Sequence, residues 1–161
     1  MKKKYLITIA IVLGVILLDQ SSKLYIDRLL PLHYSITIIK NFIHITYVRN
    51  TGAAFGLLAS QGTGFKVFFF ATTSIIAITV IIFFLRSLKD TQTLLASSLS
   101  LIMGGAIGNL IDRVRLGEVI DFIDFHWYSY HWPAFNVADS AITVGGVFLI
   151  VNTVFRKDKT Q

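Results

Sequence analysis

Four stretches of this chain, 5–26, 65–85, 94–111 and 137–155, are apolar for long enough to cross a bilayer, which excludes most soluble folds. A span of about 20 residues rising 1.5 Å each matches a hydrocarbon core of roughly 30 Å. Composition agrees: 54% of residues are hydrophobic and 15% charged, against about 25% charged in a soluble domain. Mean hydropathy is +0.67. A length of 161 residues suits one unit, so 1–161 is read as a single integral membrane domain. Three lysines before the first apolar run imitate a signal peptide. No A-x-A-like cleavage site follows, and further spans do, so 5–26 is read as a transmembrane helix.

The net charge of +6 does not call for nucleic acid, because the basic residues flank apolar spans and so report membrane topology. With a cytoplasmic N-terminus, Lys2, Lys3, Lys4, Arg86, Lys89, Arg156, Lys157 and Lys159 fall inside, in short segments. The remaining basic residues spread over much longer outer loops. Only Asp90 and Asp158 fall inside, while Asp19, Asp27, Asp112, Glu118, Asp121, Asp124 and Asp139 fall outside. The unusual polar residues therefore gather at one end of the bundle, where ionisable groups at a membrane are functional suspects. The chain has no cysteine, so thiol catalysis, cysteine-ligated zinc and disulfides are excluded.

Between the first two spans, Pro31 stops the helix. Residues 35–39 and 42–49 are rich in Ile, Thr, Tyr and Val and read as two strands around a Lys40-Asn41 turn. N-T-G-A-A-F-G at 50–56 is a turn in small residues. G-E-V-I before Asp121 reads as a short strand leaving the third span. The expected fold is a mainly α membrane protein: four transmembrane helices with a small extracytoplasmic β-sheet.

The segment 119–140 holds Asp121, Asp124 and Asp139 among aromatic residues. Two carboxylates held close cannot both ionise, so one keeps a proton as acid while the other accepts one from water. Asp121 and Asp139 are the candidate pair. Other readings stay open at this point. Asn136-x-x-Asp139 also reads as a helix N-cap with an acid in the first turn, and Asp121 as a solvated loop acid. Gly104-x-x-x-Gly108 reads as helix packing. Asn109 and Arg113 lie one turn apart; Arg113 is either a snorkelling anchor or a planar fork tying the carboxylates together. Asp19 and Lys23, also one turn apart, can pair. Trp127, Tyr128, Tyr130 and Trp132 read as an interfacial belt, with His126 and His131 inside it and not as ligands. No H-E-x-x-H or G-x-S-x-G occurs, Ser22 points away from Lys23 on a helix, and no metal or other cofactor is expected.

Five blocks in this order carry a family resemblance: D-Q-x-x-K at 19–23, N-T-G-A-A-F at 50–55, G-G-A-x-G-N-x-I-D-R at 104–113, G-x-V-x-D-F at 117–122 and F-N-x-A-D at 135–139. The chain resembles the bacterial lipoprotein signal peptidases, signal peptidase II, over most of its length. The resemblance implies a membrane aspartyl endopeptidase with Asp121 and Asp139 catalytic, and Asp19, Lys23, Asn50, Gly105, Asn109, Arg113, Asn136 and Ala138 around the site. Asp124 lies outside the motif core. The implied substrate is a diacylglyceryl-modified prolipoprotein, cut just before its lipid-modified Cys. The implied setting is the bacterial cytoplasmic (inner) membrane, among phospholipids, with both termini cytoplasmic and the active site near the outer leaflet; whether the chain acts as a monomer stays open at this point. The alternative from another class is a small proton- or ion-coupled transporter component, which would need acids spread through the membrane depth.

Overall fold

The computed structural model describes residues 2–52 and 62–155. Its elements run α1 (Lys3–Leu29), β1 (Ser35–Ile39), β2 (Ile43–Asn50), α2 (Thr63–Ser87), α3 (Thr93–Leu116), β3 (Val119–Trp127), β4 (Tyr130–His131) and α4 (Val137–Phe155). All four helices are long and apolar enough to cross a membrane. The first three extend beyond the apolar runs that announce them. Apolarity marks only the part in lipid, whereas backbone hydrogen bonding continues into the interface. Thus α3 runs past Asp112 and Arg113 and ends only at Gly117, a left-handed cap (φ 75°) whose N–H bonds Arg113 O at 3.0 Å.

Helix α3 is central. In its apolar window 56% of residues are buried, against 6% in α2. Glycines let α3 approach its neighbours on two sides. A Cβ on Gly104 would lie 2.9 Å from Val15 Cβ of α1. One on Gly105 would overlap the Ala138 carbonyl of α4, and one on Gly108 would lie 2.6 Å from Asp19 Oδ2 and 3.3 Å from Ala138 Cβ. The packing role read for Gly104 and Gly108 is thus present, and Gly105 shares it. Gly145 of α4 returns the contact further down, where a Cβ would meet Ser98 O at 2.7 Å.

The strands form one antiparallel sheet in the order β1-β2-β3-β4. The hairpin turns where expected, with Asn41 at φ 62°. Between Ile45↔Ile123 and Val48↔Asp121 the β2–β3 register shifts by one residue, a bulge in β2. Side chains alternate faces along a strand, so that extra residue decides which face the end of β2 presents. With it, Asn50 pairs with Val119 and shares a face with Asp121. The opposite face packs Tyr47, Ile120 and Phe122 against Ile26 of α1. Of the 50–56 turn, residues 53–56 lie outside the described residues.

The Gly108 contact generates a stability prediction. Asp19 is held by several partners and cannot swing aside, so Gly108→Ala should lower stability by about 1–3 kcal/mol. Gly146→Ala, with nothing within 4 Å of its Cβ, should change little. Thermal unfolding of both variants in one detergent checks this; equal midpoints would contradict it.

Candidate active site

The site is built on a buried ion cluster. Lys23 is 2% exposed and lies 2.8 Å from Asp19 Oδ2 and 2.9 Å from Asp112 Oδ2. It donates its third bond to Asn109 Oδ1 at 3.0 Å. An ammonium has three N–H donors and no acceptor, so Lys23 is fully used. The carboxylates are tied in turn. Asp19 Oδ1 accepts the Ala138 N–H of α4 at 2.9 Å, and Asp112 Oδ2 accepts the Ile120 N–H of β3 at 3.2 Å. Gln20 Nε2 bridges Asp19 Oδ2 at 3.1 Å, Asp112 Oδ1 at 3.0 Å and Gly108 O at 3.2 Å. The cluster thereby fixes α1, α3, β3 and the start of α4 to one another. Gly105, Gly108 and Ala138 are small because these backbones approach so closely.

Three asparagines convert that frame into donors aimed at the two candidate carboxylates. Asn109 Nδ2 donates to Asp139 Oδ1 at 2.8 Å. Asn136 Nδ2 donates to Asp121 Oδ1 at 2.7 Å, and Asn50 Nδ2 to Asp121 Oδ2 at 3.0 Å. Each amide has its oxygen occupied by a donor: Lys23 for Asn109, the Asp139 N–H at 2.9 Å for Asn136, and the Gly52 N–H at 2.9 Å for Asn50. Asn136 and Asp139 form a reciprocal cap, since Asn136 N–H also reaches Asp139 Oδ2 at 3.3 Å. The cap reading of this pair is therefore correct as geometry. It coexists with a link to Asp121 that a simple cap does not need.

Asp121 is 3% exposed. Burial, then the nearby charge of Asp139, pushes its pKa from the usual 3.8 up to about 7, against the opposing bonds from Asn50 and Asn136 and the charge of Lys23. The solvated-loop reading of Asp121 does not survive this burial. Asp121 and Asp139 both line a cavity of about 880 Å³. Its walls include Asn50, Val119 and Phe125 of the sheet, Asn109 and Arg113 of α3, Asp139, Ser140, Thr143 and Val144 of α4, and the 132–135 stretch.

Asp124 lies at the opposite parity of β3. It contacts His131 Nδ1 at 3.0 Å and His44 Nδ1 at 3.5 Å instead. His126 stacks on His131 with ring centroids 4.8 Å apart. Among the described residues no group of three or more His, Asp or Glu could hold a metal ion. Trp127, Tyr128, Tyr130 and Trp132 are all exposed, as an interfacial belt requires.

Arg113 departs from the fork expected of it. Among the described residues it makes no hydrogen bond to a carboxylate. It bonds Asn109 O at 3.3 Å, lies 5.2 Å from the Phe70 ring centroid and faces the cavity within electrostatic reach of Asp139, Asp121 and Asp112. Sequence reasoning left Gln20 and Asp112 out of the site. Asp112 follows Asn109 by three residues, a spacing that puts both on one helical face.

A bundle of membrane-capable helices with a small sheet, and two carboxylates lining one cavity, defines a polytopic membrane protein with a candidate acid–base site. Residues 11–155 match the family model described as signal peptidase (SPase) II. The chain is 53% identical to the lipoprotein signal peptidase of Geobacter sulfurreducens, covering 96% of this chain and 95% of that one. It is 44% identical to that of Pseudomonas putida, covering 91% and 85%. A solved structure described as a bacterial membrane enzyme superposes with a TM-score of 0.86 at 34% identity, covering 96% of this chain and 91% of that one. The chain belongs to the signal peptidase II family and is a peptidase; the transporter alternative finds no support among these relatives.

The raised Asp121 pKa gives a signed pH dependence. Between pH 3.8 and about 7 the folded chain holds a proton that the unfolded chain has lost. This contribution to stability is complete below that window and disappears as pH rises through it. Unfolding midpoints in detergent should therefore fall from pH 4.5 toward pH 8 by an increment that Asp121→Asn removes. An identical pH slope in that variant would refute the assignment.

Proposed function

We propose that this protein removes the signal peptide from diacylglyceryl-modified prolipoproteins, cutting before the lipid-modified Cys, and that Asp121 and Asp139 are its catalytic dyad. The observation that carries the reading is that Asp121, whose pKa burial and the charge of Asp139 push up to about 7, lines the same cavity as Asp139. Asp139 sits in the first turn of α4 and accepts an amide bond from Asn109. A helix N-terminus favours a negative charge, so Asp139 is assigned as base and Asp121 as acid. Asp139 takes a proton from water as its oxygen attacks the scissile carbonyl carbon, and Asp121 gives its proton to the carbonyl oxygen. On collapse of the diol the C–N bond breaks, Asp139 returns the proton to the leaving nitrogen, and Asp121 recovers its own from the diol. No covalent intermediate or metal is required.

The protein is assigned to the bacterial inner membrane as a single domain, in monomeric form, surrounded by phospholipid. Both termini lie in the cytoplasm, with the cavity near the outer leaflet. Asp19 and Gln20, in the C-terminal half of α1, gather with Asn109 and Asp112 near the C-terminal end of α3, with β3 and the start of α4. That is the level at which a bond tethered by a lipid anchor would sit. The anchor would confine the bond near the dyad and lower the entropic cost of attack.

Purified protein should cleave a diacylglyceryl-modified precursor and leave the unmodified precursor largely intact. In single-turnover cleavage, Asp121→Asn and Asp139→Asn should each lose about 10²–10⁴-fold, with the double variant little worse than either single one. Asp124→Asn should retain most activity. Appreciable cleavage by a folded Asp121→Asn or Asp139→Asn protein would sink the dyad. Single cysteines in this cysteine-free chain test the orientation: an impermeant reagent applied to intact cells should label position 129 and spare position 89, and the reverse pattern would invert the topology.

A further inference from the structure

Lys23 makes no hydrogen bond to Asp121 or Asp139 among the described residues, and nothing in the proposed chemistry uses it. Its place in the network nonetheless has a consequence for Asp139. The Asn109 side chain could present either its oxygen or its NH₂ group to that carboxylate, and only NH₂ can donate to it. An ammonium can only donate, so Lys23 Nζ at 3.0 Å holds the Asn109 oxygen on its own side. The amide nitrogen is thereby turned to Asp139 Oδ1 at 2.8 Å. Asn136 Nδ2, at 3.2 Å from the same oxygen, acts in the same sense. Asn109 is 6% exposed, so water has little access to compete for either end.

We infer that Lys23 is a positioning residue for the reaction: by locking the Asn109 amide it fixes the donor that orients the Asp139 carboxylate toward its water. This rests on the dyad reading above. Asp19 and Asp112 hold the ammonium in place for that task, and Gln20 donates to both of their carboxylates. The lock differs from a purely structural ion cluster in what it should affect. Losing it should slow the chemical step while leaving the cavity that receives the substrate intact.

The test compares Lys23→Met/Asp112→Asn with Asp112→Asn alone. The double variant removes the lock but keeps the cluster's net charge at one negative, carried by Asp19. The single variant carries the cost of altering Asp112 with the lock still present. Steady-state cleavage of a diacylglyceryl-modified precursor in detergent is measured, with thermal unfolding in parallel. Loss of a hydrogen bond to a charged group predicts a kcat on the order of 10- to 100-fold below that of Asp112→Asn, with KM within about threefold. Equal kcat in the two variants, or a loss confined to KM, overturns the inference. If the double variant does not fold, Asn109→Asp decides. Its carboxylate still satisfies Lys23 but offers Asp139 no N–H, so kcat should fall comparably, and wild-type kcat would overturn the proposal. Wild-type protein run alongside separates the two levels. Failure of the wild type to cut the precursor removes the function itself, whereas wild-type cleavage with equal variant rates removes only the lock.

Discussion

Lys23, buried between Asp19 and Asp112, is the interaction on which the rest of the site depends. Burying a charge is costly unless every valence is met, and here each ammonium proton has an oxygen acceptor. The cluster joins α1 to α3 and, through the backbone N–H groups of Ala138 and Ile120, to α4 and β3. Removing one partner would strand a charge. The arrangement therefore favours one relative placement of four elements whose apolar surfaces alone would pack in several ways. Lipid supplies little hydrophobic preference between helices, so close approach and polar contacts carry that specificity. The glycines of α3 and the ion cluster act at the same level of the bundle.

The sheet adds what the helices cannot. Asp121 lies on β3, directly after the left-handed turn at Gly117, and receives its second amide donor from β2. That donor reaches it because of one extra residue in β2. Without the bulge, Asn50 would project to the opposite face, toward the packing around Tyr47. The same alternation separates Asp124 from Asp121, although only two residues part them. Asp124 is satisfied by His131 and His44 and Asp121 by two asparagines. Two acids in one strand thus have unlike environments, and only one faces the cavity.

Asp139 shows how a structural role and a chemical one coincide. Its exchange of bonds with Asn136 closes the first turn of α4, and Asn136 also contacts Asp121. Capping and pairing are one network, because the residue that ends the loop is also the residue between the two acids. Arg113, expected in that network, stands beside it on the cavity wall. It rests against Phe70 and the Asn109 carbonyl.

The sequence by itself determined the four spans, the two strands of the first hairpin, the gathering of acids at one end and the choice of Asp121 and Asp139 for attention. These follow from properties that each residue carries alone or shares with near neighbours: transfer into lipid, alternation along a strand, turn chemistry and charge. The family blocks identified the surrounding residues without saying what each one touches. Only the tertiary structure decided that Asp112 completes the Lys23 cluster, that Gly105 and Gly108 admit the start of α4, that a bulge turns Asn50 inward and that, among the described residues, Arg113 makes no fork. Each depends on partners far apart in the chain; Lys23 and Asn109 are separated by 86 positions. The direction of an amide or the face of a strand is fixed by what stands across from it, and one-dimensional order does not record that.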